Sequence, residues 1–176
     1  MRLLMRVGMV AVCAVALIEA QAGQVSGTFT INGKPIKLTA ITAVTYDTAS
    51  QGRMVSVLAS DKPADPKKFQ EYTRIGPGEK YVPGMITGAW VAMQAEDKLA
   101  GFQFTFNSEK TLILNDVLVG TRNENFGILE DYLVLELKSV TPRLVGRIRT
   151  KEPVIDLGSQ KVGIDLTFDA PVSEVK

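Results

Sequence analysis

Histidine is absent from this 176-residue chain, and cysteine occurs once, as Cys13. Without imidazole there is no Ser-His-Asp or Cys-His machinery and no histidine ligand for zinc. Without a thiolate beyond residue 13 there is no cysteine nucleophile, iron-sulfur cluster or structural zinc knuckle in the body of the chain. Charge of one sign is lacking too: 20 Lys and Arg stand against 19 Asp and Glu. Near-neutrality gives no electrostatic reason to expect nucleic acid or an anionic membrane as partner. No G-x-S-x-G elbow, phosphate-binding glycine loop or dinucleotide fingerprint occurs. What survives is carboxylate-pair chemistry, Ser-Lys nucleophiles, oxygen-ligated calcium, or binding without chemistry.

What is present begins with the first 22 residues. A basic start through Arg6, an apolar run from Val7 to Ile18 and the small-x-small ending Ala20-Gln21-Ala22 form the three-part pattern of a secretory signal peptide. The run is too short to span a bilayer comfortably. The expectation is therefore a signal peptide over 1–22, a single exported domain over 23–176 in the periplasm or outside the cell, and no transmembrane segment in the mature chain. Val10-Ala11-Val12-Cys13 has the outline of a lipid-attachment site, but Val12 is bulky and the apolar run continues past Cys13, so the cysteine reads as one more apolar residue of the leader. Removing Arg2, Arg6 and Glu19 leaves 18 basic and 18 acidic residues in a chain long enough to bury a core without staples.

From Val25 onward the apolar period is two, the mark of half-buried strands. Asn32-Gly33 fits the two-residue turn of a hairpin whose arms are Thr28 to Ile31 and Lys34 to Leu38, with Phe29, Ile31, Ile36 and Leu38 on one face. Pro35 cannot donate a ladder hydrogen bond and places the second arm at an edge. Strands are expected at Arg53 to Ala59, at Met85 to Met93, at Gly101 to Asn107 with Phe102, Phe104 and Phe106 on one side, and at Thr111 to Leu114. Three more follow at Tyr132 to Lys138, Leu144 to Thr150 and Lys161 to Phe168. The stretch around Trp90 is apolar on both faces and reads as a central strand. Asp65 followed by Pro66 opens a short helix reaching Tyr72, with Phe69 and Tyr72 as its buried side chains.

The opening Gly27-Thr-Phe-Thr-Ile-Asn-Gly-Lys34 and the endings Leu144-Val-Gly-Arg-Ile-Arg149 and Leu166-Thr-Phe-Asp-Ala-Pro171 resemble a group of uncharacterised secreted bacterial β-domain proteins. The resemblance runs over most of the mature chain and implies an exported β-domain with no activity attached. That group carries aromatic residues just after the first hairpin, where this chain has Ala40 and Thr42.

Candidate sites are few. Asn123-Glu-Asn-Phe-Gly-Ile-Leu-Glu-Asp131 gathers hard oxygen donors suited to calcium, though its spacing fits no defined loop and a solvated connection needs the same residues. Asp116, Glu130, Asp131 and Glu136 are the carboxylates from which a hydrolytic pair would be drawn. Ser108 and Ser139 are the formal candidates for Ser-Lys catalysis. Arg143, Arg147, Arg149 and Lys151 form a basic stripe that offers an anion or partner site; cross-strand pairing, with Asp165 as a partner, is the plainer use of those charges. Phe102, Phe104 and Phe106 would line a ligand cavity in a barrel or fill the core of a sandwich.

The sequence thus predicts an all-β fold: an antiparallel β-sandwich, or flattened barrel, of about eight strands with one short helix. It predicts a binding or protein-interaction module, with no cofactor and no metal, and a protein partner or small apolar ligand. A barrel carrier and a carboxylate-dependent glycan hydrolase are the alternatives.

Overall fold

A computed structural model of the chain describes residues 23–82, 84–119 and 125–175. The expected leader and Cys13 lie outside the described residues, as do Asn123 and Glu124 of the oxygen-rich run. Among the described residues the elements follow one another as β1 (Gln24–Ile31), β2 (Lys34–Pro35), β3 (Ala40–Thr48), β4 (Gly52–Ser60), α1 (Pro66–Tyr72), α2 (Met85–Asp97), β5 (Gly101–Asn107) and β6 (Leu112–Leu118). The chain then passes through β7 (Phe126–Gly127), a single 3-10 turn at Glu130–Tyr132, β8 (Leu133–Ser139), β9 (Arg143–Thr150), β10 (Ile155–Asp156) and β11 (Lys161–Glu174).

The fold is mostly β, and its sheet is curled and mixed rather than purely antiparallel. β11 is the reason. Its first part pairs antiparallel with β1, from Val162 opposite Ile31 to Asp169 opposite Gln24, and with β9 on its other side. Its last residues, Val172 to Glu174, run parallel to Ala43 to Thr45 of β3. One 14-residue strand therefore belongs to two sheets. The first sheet is β2-β1-β11-β9-β8, with β10 also paired to the start of β11, and the second continues from the β11 tail through β3, β4, β5 and β6 to β7. The strand expected to end at Phe168 runs six residues further, past Pro171, and those residues turn an antiparallel sandwich into a half-barrel.

Alternation in the sequence sets the core between the sheets. Phe102, Phe104 and Phe106 of β5 point inward with Val55 and Val57 of β4, against Phe29 and Ile31 of β1, Leu144 and Ile148 of β9 and Ile164, Leu166 and Phe168 of β11. The rings of Phe104 and Phe168 lie 5.7 Å apart, and those of Phe29 and Phe102 lie 6.5 Å apart. Each such side chain withdrawn from water contributes about 1.5 to 3 kcal/mol. At the Asn32-Gly33 turn both residues have positive φ, 51° and 74°, as a hairpin with right-handed strand twist requires. The second arm is a strand only over Lys34–Pro35 and not to Leu38, and it forms the edge that Pro35 suggests.

Two expectations are corrected. Met85 to Met93 is not a central strand: α2 occupies it, and Ile86, Ala89, Trp90, Met93 and Gln94 form its buried side. That spacing of three and four is a helical stripe. The short helix α1 stands where Asp65 and Pro66 place it, but a second and longer helix accompanies it. Both pack on the outer face of the second sheet, where Val44, Tyr46, Met54 and Leu58 meet Phe69, Ile86, Trp90 and Met93 in a second apolar cluster. The second sheet is therefore covered on both faces, which is why β4 and β5 are buried at nearly every position. β3 is covered in the same way and carries no clean alternation, so the strand pattern in the sequence passes over it.

Candidate functional site

α1 is built by its cap. Asp65 Oδ1 accepts a hydrogen bond from the Lys67 backbone N–H at 2.8 Å, and Thr73 closes the far end by donating its N–H and hydroxyl to the Phe69 carbonyl. Between these ends Phe69 turns fully inward, while Lys67, Gln70 and Glu71 face solvent, and Tyr72, expected as a second buried contact, is exposed as well. The Phe69 ring stacks on Trp90 of α2 with centroids 4.1 Å apart and planes 17° from parallel. Lys68 links the helices through Glu96, at 3.4 Å, and Asp97; Tyr72 donates its hydroxyl to Glu96. The carboxylates of Asp97 and Glu96 raise the Lys68 pKa, and Glu96 raises that of Tyr72.

A groove of about 810 Å³ lies between α1, the start of β3 and the β11 tail. The buried side chains of Val44, Phe69 and Trp90 lie beneath it, and Ala64 and Val175 are half-buried apolar residues of its lining. Asp65, Glu71 and Glu174 line it together with Lys67 and Arg74. An apolar lining with a few convergent polar groups is the ordinary construction of a binding site.

The expected basic stripe lies elsewhere, on the outer face of the first sheet. Arg147 makes two hydrogen bonds of 2.7 Å to Asp165, Arg143 donates to Asp169 at 2.7 Å, and Arg149 stands 3.8 Å from Glu136. Lys151 is exposed just beyond β9. Arg147 holds the Asp165 carboxyl below its ordinary pKa, chiefly through that forked hydrogen bond. Three arginines and three carboxylates thus interleave across β8, β9 and β11, the cross-strand pairing expected of half-exposed charges.

The structure does not bring the candidate carboxylates to one cleft. Asp116 lies on the outer face of the second sheet, where its Oδ2 accepts from Gln103 Nε2 at 2.9 Å; Glu136 lies on the outer face of the first. Glu130 and Asp131 are exposed on the 3-10 turn. Of the oxygen-rich run, Asn125 binds protein groups: its Oδ1 accepts from the Val119 N–H and its Nδ2 donates to Gln94 Oε1. Among the described residues, no three acidic side chains gather as a metal site. Ser139 donates its hydroxyl to the Arg143 carbonyl at 2.7 Å, and Ser108 borders a cavity of about 250 Å³ beside Arg53 and Lys110. Phe102 and Phe104 face filled core, and Phe106 touches that small cavity.

A layer of buried polar groups runs between the second sheet and the helices. Trp90 Nε1 and the Thr105 hydroxyl both donate to Ser56 Oγ, at 3.3 and 2.9 Å. The hydroxyls of Tyr46 and Tyr81 are buried without a partner among the described residues. Their rings meet edge to face at 5.6 Å. Sequence reasoning missed this layer because Ser56, Gln103 and Thr105 sit at alternate strand positions that ordinarily face water.

Among the described residues no helix is long and apolar enough to cross a membrane. Neither family models nor curated proteins nor solved structures yield a match to this chain.

Proposed function

We propose that this chain is an exported β-domain that works as a binding module, and that the groove beside α1 receives its partner. The observation that carries the reading is the groove itself, in which half-buried Ala64 and Val175, over the buried layer of Val44, Phe69 and Trp90, lie inside a rim of mixed charge. A rim of both signs suits a protein segment that presents an apolar anchor between polar residues. Export rests on the pattern of residues 1–22. The carrier alternative gains less support, because Phe102 and Phe104 spend their surface on one another and on Phe168.

Photo-crosslinking residues placed at Gln70 and Arg74, on the groove rim, test the reading in the intact host envelope. A defined protein adduct at both positions, absent when the same residue replaces Lys34 on the distant hairpin, is the expected result. Adducts of equal yield at all three positions, or at none, would overturn it. Native mass spectrometry of the protein from its own envelope separates the carrier alternative, which requires an added mass of a few hundred daltons.

A further inference from the structure

We infer that β8 is the pairing edge of a symmetric homodimer, in which a second copy of this chain adds its own β8 antiparallel about Leu135. The inference uses a different surface from the groove and stands or falls separately.

β8 has β9 on one side and, among the described residues, no strand on the other. The Lys151 N–H donates to the Tyr132 carbonyl, and residues 133 to 137 continue that register against residues 150 to 146. Antiparallel ladders alternate bonded and non-bonded pairs. Val134 and Glu136 therefore turn their backbone groups to β9, while Leu133, Leu135 and Leu137 turn theirs to the open side. The other sheet ends are blunted: β2 and β7 have two residues each, and β2 contains Pro35. β8 is seven residues long without proline, and its bulge falls only after Leu137. Such an edge invites another strand.

The side chains say which strand. Leu133 is buried, but Leu135 and Leu137 are only half-buried at the margin of the core. Leu129 and Tyr132, immediately before β8, are 66% and 40% exposed. A two-fold axis through Leu135 sets Leu135 opposite itself and sets Leu133 opposite Leu137 of the second copy twice over. The apolar spacing of the strand is its own complement, as an isologous contact demands. On the outer face Val134 meets Glu136, so no like charges oppose. Shifting the axis to Glu136 would oppose two carboxylates, and shifting it to Leu137 would carry the Lys138 bulge into the pairing.

Sedimentation equilibrium of the full chain tests this together with two variants. In Leu135→Pro the lost N–H faces the open edge, so the β8–β9 ladder keeps its bonds. The wild type is expected to be a dimer with micromolar or tighter dissociation, and Leu135→Pro to dissociate at least about tenfold more readily with its far-UV spectrum unchanged. Should that variant fail to fold, Leu135→Cys decides in a Cys13→Ser background: mild oxidation should link two copies through residue 135, while Leu133→Cys, opposite residue 137, should link poorly to itself. A monomer at every concentration would overturn the inference. So would a dimer that survives Leu135→Pro, or one that crosslinks through residue 133 in preference to 135.

Discussion

Tyr46 is 1% exposed and its hydroxyl has no partner among the described residues, so its ring contributes and its oxygen does not. Burial pushes its pKa up to about 12, with a smaller opposing pull from Thr105. The unfolded chain releases that proton near the ordinary value of 10, and the folded chain resists until about 12. This part of the stability is thus complete below pH 10 and is lost as the pH climbs toward 12. Tyr46→Phe should leave stability at pH 7 within about 1 kcal/mol of wild type and should flatten the alkaline fall; urea titrations at pH 7 and across pH 10 to 12 measure both. A loss well above that at pH 7 would mean that the hydroxyl is hydrogen-bonded. Glycine supplies a second case. A Cβ on Gly27, at φ 123°, would lie 2.0 Å from the Asp165 carbonyl oxygen, whereas one on Gly33, at φ 74°, meets nothing within 4 Å. Gly33→Ala carries only the left-handed backbone cost of about 1 to 2 kcal/mol. Gly27→Ala must also part β1 from β11, so its denaturation midpoint should fall clearly further than that of Gly33→Ala.

At the scale of elements, α1 tests how far a cap can hold a wall of the groove. Seven residues are too few for a helix to persist by propensity, so α1 depends on the Asp65 cap and the Phe69–Trp90 stack. Asp65→Ala should cost about 1 kcal/mol and speed amide exchange in residues 67–72 while leaving β4 and β5 protected; equal acceleration in all three would show that the cap serves the whole domain. α1 was legible because Asp65 and Pro66 are local signals. α2 was not, for a physical reason: it has an αL glycine at its N-cap, no side-chain cap, and apolar residues beyond its buried side, so its run reads as a strand covered on both faces. The spacing of Ile86, Ala89, Trp90 and Met93 was nevertheless in the sequence, and nine residues is long for a buried strand. β5 was legible to the residue, since Phe102, Phe104 and Phe106 alternate with Gln103 and Thr105. The groove was not, because its parts come from β3, α1, α2 and the β11 tail, and no local pattern announces that they meet.

On the scale of the whole molecule, the second sheet is a common wall. Its inner face closes the phenylalanine core and its outer face carries the helices, so β4 and β5 cannot lose one covering without exposing apolar residues prepared for burial. β11 then ties this wall to the first sheet, pairing with β1 and β9 over its first part and with β3 through Val172 to Glu174. Both features argue for one cooperative unit, in which neither the helical layer nor the first sheet unfolds alone. Trp90, the single tryptophan, sits in the outer cluster, so its fluorescence reports the helical layer, while far-UV circular dichroism is dominated by the strands. The two signals should follow one curve in urea. If fluorescence fell first, the helices would form a separate unit resting on a stable sheet. The groove would then open and close with local unfolding of α1, and partner affinity would carry the cost of ordering that helix. Coincident curves mean that the groove is preformed whenever the chain is folded, and that the buried layer of Val44, Phe69 and Trp90 holds its walls in place for whatever binds there.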